Sequence, residues 1–336
     1  MVEPNIFTFA SSELSQDAFI CWLLSWAKPE YRATHSELHQ CSIHFIQSLL
    51  EKHTEKSIPS QIHSIKIQKQ EKNIDVLCII NNKYHILIED KTKTQDHSNQ
   101  LQRYLNHLQS KIPSENIFPI YFKTHDQACY QKIIDVYGYK VFSRKDFLTI
   151  LNNGITLGVK NDIFNSFRLH LQNIEDDVQN YLNKPLGSWN KQAWRGFFIE
   201  LQQRLETGLW KEINPPSGKQ IMGFWWGGQA RKPYLQLEEK KLCFKISIPE
   251  NTESKAFVTY WHNTIKSMSH TLDKDLALIK PARLSKKGKH ITIMILQNDD
   301  YRNTQSNGLI DMDSTVTNLK KLDHFLKIVQ QSSFNI

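Results

Sequence analysis

The sequence is poor in the features that would place it in several common classes. Its five cysteines, Cys21, Cys41, Cys78, Cys129 and Cys243, are odd in number, scattered, and form no CxxC. That excludes a disulfide framework and suits reduced, mostly buried thiols in a cytosolic protein. The most apolar run, Ala18 to Ala27, is too short to span a bilayer, so no membrane partner is expected. The N-terminus has no basic segment followed by an apolar stretch, so no secretory signal is expected and a cytoplasmic location is. GxxxxGK[ST] is absent, so Gly218-Lys219 is not a phosphate loop. HExxH is absent too. His35 and His39 stand four apart, but the order is H-S-E-L-H with Glu37 displaced by one and no third ligand. A solvated helix face is expected there rather than zinc.

What is present is a core. Of 336 residues, 40% are hydrophobic and 11% aromatic, and nothing in the composition suggests disorder. The most informative stretch is Ile74 to Lys91, IDVLCIINNKYHILIEDK. Two β-branched and aromatic runs flank Asn81-Asn82-Lys83, which is the pattern of a β-hairpin. A three-residue loop centred on Asn82 makes paired positions sum to 164, so Ile80 faces Tyr84 and Asp75 faces Glu89. Opposed residues lie about 4.5–5.5 Å apart on one face, and alternation puts Lys91 there as well, with Asp90 pointing away. A two-residue turn would shift this register by one. Juxtaposed carboxylates suit a hard divalent cation, which takes one or two carboxylates plus water and phosphate oxygens. On these residues alone, a metal site and a surface salt bridge between Glu89 and Lys91 are equally good readings.

Asp75, a hairpin, and then Glu89-Asp90-Lys91 resembles the core motif of the PD-(D/E)XK nuclease superfamily, with Ile74 in place of the proline. The flanking elements extend the resemblance. Before the hairpin, Asn5 to Ala27 reads as a short extended piece followed by a helix capped at Ser11 or Ser12, with Phe19, Trp22, Leu23 and Trp26 inward. In the superfamily, the helix before the core often supplies a Glu to the metal site. Glu13 is the better match here and Asp17 its rival. After the hairpin, SNQLQRYLNHLQS reads as a helix capped by Asp96 or Ser98, carrying Gln100 and Tyr104 in a Q-x-x-x-Y element. This is similar to the RecB-like exonuclease branch, where the Gln helps position the site and the Tyr lies near substrate.

The remaining elements are a helix at Glu37 to Glu51, an edge strand at His63 to Gln70, and IFPIYFK at Ile117 to Lys123, whose Pro119 suggests an edge or a bulge. Lys123-Thr124 is either a phosphate contact or a solvated strand end. A short strand at Tyr137 to Phe142 precedes a capping box, Ser143 with Asp146, that opens a helix. The order fits an α/β, restriction-endonuclease-like αβββαβ core with a mixed sheet, covering about Asn5 to Asn153. Asp162 to Asn183 is a long helix, and the break at Lys184 to Ser188 suggests a nuclease domain over 1–184 and a smaller basic α+β domain over 185–336.

The net charge of +8 lies wholly in the second part: residues 1–184 carry 20 basic and 20 acidic residues, whereas 185–336 carry 22 and 14. That surplus points to a polyanion. Lys280 to His290, with Lys280, Arg283, Lys286, Lys287 and Lys289 and no acid, suits phosphate contacts. The Trp225/Trp226 pair suits either base stacking or a core, the core being the commoner fate. Trp189 to Trp210 reads as a helix, and Tyr234–Leu237 with Leu242–Ile248 as a hairpin. The resemblance implies a Mg²⁺- or Mn²⁺-dependent nuclease acting on nucleic acid, with DNA the expected substrate and restriction or phage defence the setting. Asp75, Glu89 and the Asp90 carbonyl are the expected metal ligands, Lys91, Gln100 and Glu13 the catalytic or supporting groups, and Tyr104 with the Lys280–His290 cations the substrate contacts. An inactive binding module on the same fold, an RNA-directed nuclease and a protein-docking role are the alternatives. A homo-oligomer is compatible with all of them.

Overall fold

The structure is a computed structural model, and it describes residues 4–71, 74–92, 99–214, 218, 220–250, 252–285 and 288–333. The chain forms two packing units, Met1–Asp176 and Asp177–Ile336. The division falls inside a long helix because its last turns belong to the second unit. Tyr181 packs on Phe197, and the bare Cα of Gly196 lies against the Val178 carbonyl, where a Cβ would sit 2.0 Å from the oxygen.

In the first unit a single turn, α1 (Ile6–Phe9), replaces the expected extended piece because the Asn5 side chain caps it. Next come α2 (Glu13–Ser25), capped by Ser12, and α3 (Ser36–Glu51). The strands β1 (Ile65–Glu71), β2 (Ile74–Ile80) and β3 (Tyr84–Lys91) follow, then α4 (Gln100–Gln109), β4 (Ile117–Lys123) and β5 (Lys140–Ser143). Helices α5 (Arg144–Thr156) and α6 (Asp162–Asn183) complete the series. The strands lie in the order β1-β2-β3-β4-β5. The first three are antiparallel, and β4 and β5 run parallel to β3 and β4. This is the expected mixed sheet. The expected caps of α4, Asp96 and Ser98, lie outside the described residues.

The hairpin has the predicted register, Ile80 opposite Tyr84 and Val76 opposite Ile88. Asn81 and Asn82 make the turn, both at φ 51°, a conformation that Asn tolerates better than most residues. Alternation then sorts β3. Ile86 and Ile88 join Phe118, Ile120 and Phe122 in a core under α2, α3 and α5. Leu87 joins Leu77, Tyr121, Leu101 and Leu105 in a second core under α4.

Pro119 is neither on an outer strand nor in a bulge: β4 is hydrogen-bonded on both sides and buried throughout. It is tolerated because β5 begins only opposite Ile120, leaving the start of β4 locally unpaired on that side. Two side chains take the exposed acceptors. Lys56 Nζ donates to the Ile117 carbonyl, and the buried His53 Nε2 lies 3.1 Å from the Pro119 carbonyl. The expected strand at Tyr137 starts late, at Lys140, because Lys132–Val136 forms a wide helical turn instead.

The second unit holds α7 (Lys191–Leu205), β6 (Leu209–Ile213), β7 (Ile221–Trp226), β8 (Tyr234–Glu238) and β9 (Lys241–Ser247). These are followed by α8 (Ser254–Met268), β10 (Leu278–Ile279) and β11 (His290–Leu296). A small ladder of β12 (Asn303–Thr304) with β13 (Ile310–Asp311) precedes α9 (Met312–Val329). A six-stranded antiparallel sheet runs β10-β11-β9-β8-β7-β6. Trp210 is in a strand, not the helix expected through it. Glu206 at φ 55° and Gly208 at φ 102° end the helix, and the indole of Trp210 folds back to donate to Gln202 Oε1 at 3.1 Å.

Burial lowers the His53 pKa to about 4, with the Lys56 ammonium adding to the effect. His53 is therefore neutral in the fold and protonated below about 6.5 in the unfolded chain, so it costs stability as pH falls from 6.5 towards 4. Relative to His53→Gln, the wild type should lose up to about 3 kcal/mol across that window. Denaturant titrations at several pH values check this, and parallel profiles would contradict it.

Candidate active site

The site lies where β2 parts from β3. The ladder between them ends at Val76–Ile88, and at the next position the Asp75 side chain takes over as acceptor, with Asp90 N donating to Oδ2 at 2.9 Å. Beyond that point β3 continues against β4 through Lys91. Asp75, Glu89 and Lys91 share the face that Leu77 and Leu87 present to α4. Lys91 Nζ donates to Glu89 Oε1 at 2.5 Å and to the Asp90 carbonyl at 3.1 Å, and lies 3.8 Å from Asp75 Oδ2. The Glu89 side chain is 0% exposed, and its second oxygen, Oε2, meets no N–H or O–H donor, while the Glu89 and Asp75 carboxyl groups lie within hydrogen-bond reach of each other.

Two carboxylates and one ammonium thus share a nearly dry pocket. Burial, and then the charge of Asp75, raise the Glu89 pKa to about 8 against the pull of Lys91. Burial raises Asp75 as well, opposed by Lys91 and the Asp90 N–H. Burial alone would lower Lys91, but Glu89, Asp75 and Glu13 together hold it above its ordinary value, so Lys91 stays an ammonium. The pocket is one positive charge short.

Asp90 points to the opposite face, as expected. Its buried carboxyl accepts from Gln16 Nε2 on α2, while Thr124 Oγ1 donates to Gln16 Oε1 at 2.8 Å. Asp17 lies against Asp90 there, its pKa raised to about 6 first by burial and then by Asp75. Glu13 stands on the site side: its Oε1 accepts from Thr92 N at 3.0 Å, and its charge acts on Asp75 and Lys91. The structure therefore separates the two α2 acids, with Glu13 at the strand end and Asp17 beneath it.

Lys123 and Thr124 are neither phosphate contacts nor a solvated end. Both are buried. Lys123 Nζ donates to the Thr92 carbonyl at 2.7 Å, and Arg144 Nη1 to the Thr124 carbonyl at 2.7 Å. Arg144 is anchored in turn by Glu175 at 2.7 Å and Asp126 at 2.8 Å. Sequence reading missed Gln16 and Arg144. The one available signal was that each lies on the inward row of its helix, where a polar residue needs a buried partner.

Tyr104 is buried on α4. Burial raises its pKa, the Gln100 side chain opposes the shift, and the charges of Glu89 and Asp75 add to it. The Q-x-x-x-Y helix thus flanks the carboxylates. Tyr139 and Tyr137 fix its start, donating to the Leu101 carbonyl at 3.1 Å and Asn99 Oδ1 at 3.0 Å. Arg283 and Lys289 are exposed in the second unit, and Lys286 and Lys287 lie outside the described residues. His39 Nδ1 meets the Trp26 carbonyl at 2.9 Å, and among the described residues no three His, Cys, Asp or Glu side chains cluster to hold a metal ion. Two juxtaposed carboxyl groups beside a main-chain carbonyl, with no N–H or O–H donor on Glu89 Oε2, fit a hard cation that completes its shell with water.

The first unit is a mixed sheet with Asp75, Glu89 and Lys91 gathered where two strands separate, between an acid-bearing helix and a Gln/Tyr helix, a fold of the restriction-endonuclease-like kind. A family model of the PD-(D/E)XK nuclease superfamily matches residues 4–175, and the chain belongs to that superfamily. No curated protein and no solved structure matches it.

Because Glu89 binds its proton more tightly in the fold than in the unfolded chain, the metal-free protein should lose stability as pH rises from about 5 to about 8. Glu89→Gln should remove much of that slope. Unfolding in EDTA across this range tests it, and an unchanged slope in the variant would contradict the assignment.

Proposed function

We propose that the chain is a divalent-metal-dependent nuclease that hydrolyses phosphodiester bonds of DNA, with Asp75, Glu89 and the Asp90 carbonyl as the ligands of Mg²⁺ or Mn²⁺. The observation that carries this reading is the wholly buried Glu89 carboxyl held against Asp75 with Lys91 as the one ammonium beside them. When bound, the cation lowers the pKa of a coordinated water and polarises the scissile phosphate.

The chain's own groups divide the remaining work. Lys91, held protonated by three carboxylates, cannot serve as a base. It donates hydrogen bonds, orients the attacking water and offsets charge that develops on the phosphate oxygens. Glu13 binds Thr92 N and so holds the end of β3 in place. Gln100 and Tyr104 form the α4 wall, with Tyr104 the substrate-side residue, as in the RecB-like branch. Arg283, Lys286, Lys287 and Lys289 are the candidate phosphate contacts, which strengthen binding without reading sequence. Restriction or defence against phage, where the superfamily recurs, is the setting we assign.

Wild type should cleave DNA with Mg²⁺ or Mn²⁺ and not with EDTA. Asp75→Ala and Lys91→Ala should each lose on the order of 10²-fold or more in rate. Linear, circular and single-stranded DNA and RNA serve as substrates. Cleavage surviving both substitutions would remove the site assignment, and cleavage of RNA alone would replace the substrate.

A further inference from the structure

Among the described residues of the second unit, no helix packs over one face of its six-stranded sheet. Helix α7 packs on β7 through Phe198 and Phe224, and α9 reaches the same face through Phe325 on Phe244 and Asp323, which accepts from Trp226 Nε1 at 3.0 Å. Helix α8 lies beside α9 and against β11. Trp226 is therefore core. Its neighbour Trp225 points the other way, half-buried, with Lys211 Nζ 5.7 Å from its ring centroid.

The register defines what accompanies Trp225 on that outer face. Trp225 lies opposite Gln236, and Lys211 opposite Gly223, which has no side chain to cover it. One same-face step along β8 is Tyr234, opposite Lys245, which in turn lies opposite Thr292. His290 completes the patch, its Nδ1 3.2 Å from the Tyr234 hydroxyl and 3.0 Å from Ser247 Oγ. Partial burial and the charges of Lys245, Lys289 and Lys211 all lower the His290 pKa, so three ammonium groups act on one spot. Among the outward strand positions described, Glu238 is the one carboxylate, and Lys245 binds it at 2.7 Å.

We propose that this face, centred on Trp225, Tyr234, Lys211 and Lys245, is a binding platform for single-stranded DNA. Half-exposed aromatic rings on a rigid sheet offer stacking surfaces to unpaired bases, and ammonium groups between them track the phosphates. A duplex keeps its bases stacked on one another and cannot use the rings. A second copy of this chain is disfavoured, since a two-fold interface here would set lysines against lysines. The choice of DNA over RNA rests on the proposed deoxyribonuclease activity; the platform itself does not.

The test uses the full chain in EDTA, where no cleavage is expected, with fluorescence anisotropy of labelled oligo(dT), oligo(rU) and duplex DNA. Trp225→Ala should weaken oligo(dT) binding about 10-fold and leave duplex binding unchanged. Lys211→Gln should flatten the salt dependence by about 0.7 in log–log slope. Lys211 is exposed and Trp225 half-buried, so Lys211→Gln should unfold at the wild-type temperature and Trp225→Ala should keep a cooperative unfolding transition, which separates loss of binding from loss of fold. Wild-type oligo(dT) binding by both variants, or equal losses on duplex, would overturn the proposal. Tighter binding of oligo(rU) would overturn the choice of DNA, and a change of oligomeric state in Trp225→Ala would make the face a self-association surface instead. Binding is measured without metal, so a chain that binds oligo(dT) and cuts nothing would overturn the nuclease reading and leave the platform standing.

Discussion

Two carboxyl groups and one ammonium occupy a pocket that excludes most of the water able to solvate them. Glu89 is wholly buried, Lys91 nearly so, and Asp75 partly. Isolated charges do not survive such burial; they pair, bind an ion or take up a proton. Lys91 can neutralise one carboxylate. The other must hold a proton or a cation, a demand that a simple structural ion pair would not leave.

The surrounding fold fixes this arrangement by pairing backbone groups at the strand end. Asp75 accepts the Asp90 N–H, Glu13 the Thr92 N–H, and Lys123 donates to the Thr92 carbonyl. On the far side of the sheet, Arg144 holds Thr124, Thr124 holds Gln16, and Gln16 holds Asp90. A strand whose end is tied from both faces has little freedom to move its carboxylates. Such preorganisation is what electrostatic catalysis requires.

Much of this was legible in the sequence because period-two alternation and a short Asn-rich turn fix both register and face. That pattern places Asp75, Glu89 and Lys91 together, and leucine spacing places the Gln100/Tyr104 helix. What could not be read was the second layer. Gln16 and Arg144 look like ordinary helix residues until the tertiary partners Asp90 and Glu175 arrive. Pro119 misled for a related reason: its suitability depends on where β5 starts, a fact of sheet topology and not of the strand itself. In the second unit, Trp225 and Trp226 are indistinguishable as a pair. Only the helices behind the sheet decide that one is core and the other surface.

In the proposed site, a divalent cation displaces the proton that Glu89 holds beside Asp75 and Lys91. Calorimetric titration of the metal-free protein with Mn²⁺ at neutral pH, in buffers of different ionisation enthalpy, measures this directly because it counts protons released on binding. Binding should be accompanied by release of about one proton, and both binding and release should vanish in Asp75→Asn. Binding with no proton released, or binding that persists unchanged in Asp75→Asn, would contradict the account.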